Sequence, residues 1–367
     1  MVIKRFFKNN IDLTLAIIFA TITCLIAPPS ASLVIRRLNI PLLGLLIALM
    51  CIVAGFRLSG FFDAIIQRFF KGDVTERSVA RFFIFACYFS SMLITNDVAL
   101  IIFVPTAIFT FTKLNRVRVI APTVVLATIA ANLGSMLTPI GNPQNLFIYS
   151  RYTLSLNEFL SITAPFVVLS GVIVCLATFF LPNSRIKIRI GKNKKLPVKN
   201  LGFLAILFLL CLLHVIRLIP FSILALIVFP SIFLLNRKLF LKADYKLIFL
   251  FATLFIGVGN LSEIQFFKNI SQILSGHEMA VSIILSQIIS NVPATVLLSE
   301  FTNSYEPLLI GVNIGGLGTI IASMASLISF KAYMEMRFSK MGYYLILFTL
   351  GNLFMLAILL AYYKILY

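Results

Sequence analysis

Charge is scarce in this sequence: 12% of its 367 residues are Asp, Glu, Lys or Arg, against about a quarter in an ordinary soluble domain. Long polar stretches are scarce too. The longest, Asn183 to Asn200, has the length of a loop, so no separate soluble domain is expected. Cysteine and histidine are few and scattered. The five cysteines, Cys24, Cys51, Cys87, Cys175 and Cys211, fall inside apolar runs without CxxC spacing, and His214 and His277 stand alone. That pattern supports neither a disulfide framework nor a structural zinc site. An enzyme working inside a bilayer would need paired catalytic groups, such as His-Glu-x-x-His or two aspartates, within its apolar segments. None appears, which disfavours an intramembrane enzyme.

What the sequence does have is apolar residue, 60% of the total, arranged in repeated runs too many for one soluble core to bury. A run of about 20 such residues crosses a bilayer as a helix. Spans are expected near 11–28, 39–57, 118–150, 157–182, 199–218, 220–236, 246–260, 306–330 and 341–364. The first follows Lys4, Arg5 and Lys8 and resembles a signal peptide, with a weak cleavage site at Pro28-Pro29-Ser30-Ala31-Ser32. With many spans behind it, it reads as a retained first helix. The formal net charge of +19 is then a matter of orientation rather than of nucleic acid, because short cytoplasmic loops collect Lys and Arg.

Two further apolar segments, 82–112 and 279–302, carry polar breaks at their middles, Thr95-Asn96-Asp97 and Ser290-Asn291. Arms of about 10 to 15 residues are short for a hydrocarbon core of roughly 30 Å. Each segment reads as a re-entrant hairpin that enters and leaves on one side. With the N-terminus inside and both segments taken as hairpins, all but six of the 31 basic residues fall on the cytoplasmic side. The six are Arg36, Arg37, Arg151, Arg217, Lys268 and Lys364. Counting either hairpin as a single crossing destroys that asymmetry. The first hairpin thus opens from the cytoplasm and the second from outside.

The expected fold is an all-α polytopic membrane protein built as an inverted repeat, with two re-entrant hairpins and two broken transmembrane helices. Residues 1–182 form the first repeat, with hairpin 82–112 and broken helix 118–150. A basic cytoplasmic loop, 183–200, leads to residues 201–367, a linker helix plus the second repeat, with hairpin 279–302 and broken helix 306–330.

The halves match at residue level. Ser91-Met-Leu-Ile-Thr95-Asn96-Asp97-Val-Ala99 aligns with Ser286-Gln-Ile-Ile-Ser290-Asn291-Val-Pro-Ala294. Downstream, Ala131-Asn132-Leu-Gly134-Ser135-Met-Leu-Thr138 aligns with Val312-Asn313-Ile-Gly315-Gly316-Leu-Gly-Thr319. Inverted repeats with broken helices near the midplane are a common way for secondary transporters to build binding sites. Gly134, Gly141, Pro139 and Pro143 unwind the first break, and Gly311, Gly315, Gly316 and Gly318 the second. Freed carbonyls and Asn oxygens are hard ligands suited to sodium; half-helix N-termini suit an anion. Any one such motif is ordinarily helix punctuation, but four in symmetric pairs point to a site.

The candidate binding residues are Thr95, Asn96, Asp97, Asn132, Gly134, Ser135, Thr138, Asn142, Ser290, Asn291, Thr295, Asn313, Gly315, Gly316 and Thr319, with sodium expected at Asn96 and Asn291. Asp97 is the one acid deep in an apolar segment. A carboxylate there costs about 2.5–3.5 kcal/mol on insertion scales, so it reads either as a coupling-ion or proton site or as a first-turn residue stabilised by the helix dipole. Its repeat partner is Val292. Two amphipathic stretches, 59–71 and 262–274, precede the hairpins and read as interfacial arms.

At these motifs the chain resembles the ion transporter superfamily of divalent-anion:sodium symporters, the arsenite pump membrane protein and sodium/proton antiporters of the NhaD type. Thr95-Asn96-Asp97-Val98-Ala99-Leu100 is similar to the Asn-Asp-x-Ala-Leu hairpin of the arsenite-pump branch. Ser290-Asn291 resembles the Ser-Asn-Thr tips of dicarboxylate symporters, with Val292 replacing the Thr. Overall the chain looks like the small bacterial anion permeases of the YbiR type. The resemblance implies a scaffold plus a mobile transport body, a homodimer, elevator-like alternating access and a bacterial inner-membrane location. By motif matching, Thr95, Asn96, Asn132 and Thr138 would line one sodium or anion subsite, and Ser290, Asn291, Asn313 and Thr319 its mirror image.

The expected function is secondary active transport of a small anion, with a sodium ion or proton as coupling ion, no cofactor and no nucleic-acid partner. A sodium/proton antiporter on the same scaffold is the alternative within transport. A channel is a further class, which the paired hairpins disfavour.

Overall fold

Apolar runs fold as helices because a helix satisfies its own backbone hydrogen bonds where water is absent. The computed structural model, which describes residues 11–62, 64–65, 72–188, 198–261 and 274–367, is accordingly almost wholly helical. In chain order the described helices are α1 (Ile11–Ile26), α2 (Ala31–Arg37), α3 (Ile40–Leu58), α4 (Glu76–Ile94), α5 (Asn96–Lys113), α6 (Ile120–Gly134), α7 (Pro143–Arg151) and α8 (Leu156–Ala177). The second half follows with α9 (Val198–Val215), α10 (Phe221–Asn236), α11 (Tyr245–Leu261), α12 (Glu278–Ile289), α13 (Asn291–Ser299), α14 (Tyr305–Ile314), α15 (Met324–Met334) and α16 (Met341–Leu366). Seven helical stretches among the described residues are long and apolar enough to cross a bilayer.

The two polar breaks are tips of helical hairpins. In α4–α5 the first residue of the outgoing helix, Glu76, forms an ion pair of 2.9 Å with Arg116, just beyond the end of the returning one. In α12–α13, Glu278 at the start accepts a hydrogen bond of 3.1 Å from Thr302 beyond the end. Each hairpin therefore closes at its base. The arms are unequal. Those of the second, 12 and 9 residues, have the expected length. Those of the first, 19 and 18 residues, are longer than expected, because Glu76, Arg77 and Arg81 belong to the helix and not to the loop before it. At 1.5 Å per residue each is roughly 28 Å long, and both are among the seven stretches long and apolar enough to cross a bilayer, so arm length does not mark this hairpin as re-entrant.

The all-helical expectation has one exception. β1 (Gly72–Thr75) and β2 (Arg185–Ile188) pair antiparallel, Gly72 opposite Ile188 and Thr75 opposite Arg185. This joins the start of α4 to the chain beyond α8, two segments expected as plain loops. Arg77 reinforces the junction by donating to the Leu181 carbonyl at 2.8 and 3.0 Å. At the other end of the molecule, Arg37 bonds Asn260, Arg151 pairs with Glu300 at 3.1 Å, and Arg217 donates to the Thr153 carbonyl at 3.0 Å.

Packing divides into two groups. α1 lies against α11, and α3 against α9 and α10; α6 is the hub of the other group, touching α4, α5, α8, α15 and α16. Contacts of α11 with α13 and of α3 with α7 join them. The expected interfacial arms lie largely outside the described residues. Of the first, Phe62 is buried and meets Phe103 of α5 edge-on at 5.9 Å, so this end packs inward.

Candidate functional site

Thr95 and Ser290, the tip residues, share one unusual backbone conformation: φ 72°, ψ 147° and φ 71°, ψ 153°. This region is nearly glycine-only and costs of order 1–3 kcal/mol for a side-chain-bearing residue. The strain is what breaks each hairpin sharply enough to start a fresh helix at the next residue, Asn96 or Asn291. Neither tip caps its new helix through its side chain. The Asp97 N–H is taken by Asn96 Oδ1 and the Asn291 N–H by the Ala322 carbonyl, and Pro293 has none, which leaves the N–H groups of Asn96 and Val98 at one start and of Val292 at the other.

The two later breaks also correspond. α6 ends at Gly134, passes through short 3₁₀ turns at Ser135–Leu137 and Pro139–Gly141, and resumes as α7 at Pro143. α14 ends at Ile314 and the chain resumes as α15 at Met324. Glycine is required at the crossing with each hairpin. A Cβ on Gly134 would stand 2.8 Å from Ser91 Oγ and one on Gly315 2.8 Å from Ser286 Oγ, the same pairing in both halves. Thr138 donates to the Met92 carbonyl, and Thr319 to the equivalent Gln287 carbonyl at 3.4 Å.

At the centre the halves exchange hydrogen bonds reciprocally. Ser323 Oγ donates to Asn132 Oδ1 at 3.1 Å, and its counterpart Asn142 Nδ2 donates to Asn313 Oδ1 at 3.0 Å. Asn132 Nδ2 donates to Ser326 Oγ at 3.3 Å, and Asn313 Nδ2 to the counterpart Asn145 Oδ1 at 2.7 Å. Asn96 joins this layer by donating to Asn132 Oδ1 at 3.1 Å, and Ser135 by accepting from Asn142 Nδ2 at 3.2 Å. All of these side chains are buried. Buried amides are costly unless bonded, so the layer fixes both breaks against each other.

The remaining candidates fall into two sets. Thr95, Thr138, Ser290 and Thr319 form a rim that stays partly or fully exposed beside the buried layer. Thr295 does not join the site: its hydroxyl bonds its own helix at the Asn291 carbonyl, 2.6 Å away. Asp97 sits half-buried in the first turn of α5, where the helix dipole favours it. No hydrogen bond or ion pair engages its carboxylate among the described residues; only its backbone N–H is bonded, to Asn96 Oδ1.

The tips differ in how their asparagines are used. Asn96 is tied down on both sides, its Oδ1 accepting from the Asp97 N–H at 2.9 Å. The Asn291 backbone N–H donates to the Ala322 carbonyl at 2.9 Å, but its side-chain amide makes no hydrogen bond among the described residues although the residue is 4% exposed. It lies beside Gly316, where a Cβ would be 3.0 Å from its Nδ2.

The carbonyls freed at the breaks are largely claimed by amide donors. Asn145 Nδ2 bonds the carbonyls of Ser135, Met136 and Thr138 at 3.1–3.3 Å. Gln287 Nε2 bonds those of Gly315 and Leu317 at 2.8 and 2.9 Å. Asn145, Gln287, Ser323 and Ser326 were missed by the sequence reading. Continuing the second alignment past Thr138 and Thr319 finds three of them, since Asn142 and Asn145 fall opposite Ser323 and Ser326. Gln287 was inside the aligned motif but faces Met92, which carries no signal.

Four helix starts, those of α5, α7, α13 and α15, thus meet around a polar layer inside an apolar bundle. That arrangement belongs to a polytopic membrane protein that handles a polar or charged solute. The sequence matches the family model described as citrate transporter, CitMHS, over residues 6–305, and the chain belongs to this family of transporters, not to an enzyme family. It is 34% identical over 325 residues to an uncharacterized transporter of Methanocaldococcus jannaschii, covering 86% of this chain and 87% of that one. It is also 34% identical over 295 residues to the inner membrane protein YbiR of Escherichia coli, covering 77% of each.

Proposed function

We propose that the protein is a secondary active transporter of a small, multiply charged anion, coupled to sodium ions or protons and working by alternating access across the cytoplasmic membrane. The observation that carries this reading is the meeting of four helix N-termini around an asparagine layer supplied reciprocally by both halves. Each N-terminus presents about half a positive charge, and inside an apolar bundle that charge is weakly screened. The anion contacts the accessible hydroxyl rim and the remaining first-turn N–H groups, those of Asn96 and Val98 in α5 and of Val292 in α13, while the buried asparagines hold the breaks in place. The family name makes citrate the first substrate to test.

In this reading the N-terminus is cytoplasmic and the repeat inverted, with α4–α5 re-entering from the cytoplasmic side and α12–α13 from outside. The α1, α3, α9, α10 and α11 group is the scaffold of a homodimer, and the group around α6 is the body that moves. Sodium, where it couples, binds at Asn291, whose amide is uncommitted, in preference to Asn96. A proton, where it couples, binds at Asp97.

The test is uptake into proteoliposomes of citrate, sulfate, phosphate and arsenite under imposed sodium or proton gradients. Gradient-driven uptake of at least one anion is expected. A flat response across the panel with cation exchange intact would replace this reading by a sodium/proton antiporter, which the unpaired carboxylate of Asp97 favours.

A further inference from the structure

Short outer loops are normally depleted of Lys and Arg, so the basic residues that do occur on the outer side call for a reason. Arg217 has one: it lies over the Tyr149 ring at 5.2 Å and donates to the Thr153 and Tyr149 carbonyls, closing the end of α7. Arg36, Arg37 and Arg151 share another. They converge on one cavity of about 560 Å³, lined also by Asn39, Phe255 and Glu300.

The cavity lies between the two packing groups, with α2, the start of α3 and the end of α11 on one side and the ends of α7 and α13 on the other. The two latter helices begin at the site, at Pro143 and Asn291, and each is nine residues long. The cavity is therefore about 13 Å from the asparagine layer along both. Glu300 is the one acid among its described lining residues, and it is held by Arg151 at 3.1 Å. Arg36 is exposed, and Arg37 is steered by Asn260. Guanidinium groups present planar, paired donors that match carboxylate and phosphate oxygens.

We propose that this cavity is an outer staging site for a multiply charged oxyanion, which bridges Arg36 and Arg151 and displaces Glu300 from Arg151 before passing to the central site. The proposal deepens the transport reading and rests on it for the anion's onward path. A lipid phosphate shares the oxyanion chemistry, and the position between the two groups, above the site, favours the free anion.

The experiment reads occupancy without transport. With the accessible native thiols removed as Cys24→Ser and Cys175→Ser, Ile35→Cys and, separately, Ile40→Cys place a thiol in the lining, and labelling by a maleimide is followed in maltoside micelles. Millimolar citrate, against chloride at matched ionic strength, should slow labelling at least about fivefold, as expected where the anion exceeds its Kd several times over. Adding Arg36→Gln with Arg151→Gln should abolish that protection, while Glu300→Gln should strengthen it. No protection in either reporter, protection that survives the arginine changes, or protection by added phosphatidylglycerol but not by citrate would each overturn the proposal. Protection by citrate in a protein that moves no anion would leave the staging site standing and remove the transport reading; uptake without protection would do the reverse.

Discussion

The two halves agree in backbone and differ in side-chain employment. Thr95 and Ser290 adopt the same strained dihedrals, and Asn132 and Asn313 sit in matching roles at matching breaks. Yet Asn96 is bonded on both sides while the Asn291 amide is uncommitted, and an acid follows one tip where Val292-Pro293 follows the other. The shared features are those needed to hold four helix ends in register. The unshared ones stand at the tips. On the transport reading proposed above, a symmetric frame with asymmetric tips suits unequal partners, an anion and its coupling ion.

The strongest test of the frame is Asn132→Ala beside Asn313→Ala. Each leaves several buried partners unbonded, at about 1–3 kcal/mol apiece, and each should lower uptake by roughly 100-fold through misplaced helix ends. Proteoliposome uptake and thermal melting of the same preparations check this; strongly unequal losses would break the equivalence of the halves. Next come the tips. Asn96→Ala and Asn291→Ala should both reduce uptake at least about tenfold, with only Asn96→Ala melting earlier, since only it abandons a partner. Equal melting temperatures for the two variants would show that Asn291 is bonded too.

Asp97→Asn should leave substrate binding in place and remove any dependence of uptake on an imposed proton gradient. An unchanged gradient response rejects Asp97 as the proton site. The smallest effect is expected from Thr95→Gly and Ser290→Gly, which relieve the positive-φ strain and should stabilise by about 1 kcal/mol, raising Tm by roughly 1–2 °C. A fall in Tm in either variant means that the hydroxyl contributes more than the strain costs.

Much of the architecture was legible because a bilayer leaves so few options. The spans read from apolar runs end within a few residues of the helices, and Thr95-Asn96 and Ser290-Asn291 stand at the hairpin tips. The asparagine layer was half legible: Asn96, Asn132, Asn142 and Asn313 were named, but Ser323 and Ser326 were not, because serine is unremarkable in a helix start until its partner is known. The β1–β2 pairing was hidden for a different reason. Arg-Ile-Lys-Ile alternates as a strand does, but a strand needs an edge to bind, and Gly72–Thr75 is over a hundred positions away in the chain. The arms of the first hairpin were underestimated because their polar first turn, Glu76 to Arg81, looked like loop.

The reciprocal hydrogen bonds make the two halves an internal pair. When two identical chains meet about a two-fold axis, residue i of one touches residue j of the other, and j touches i. Asn132 with Ser323 and Ser326, against Asn313 with Asn142 and Asn145, is that signature written inside a single chain. Neither half holds a complete set of partners by itself. A change to either asparagine is therefore felt in the opposite half, at the side chains that half supplies.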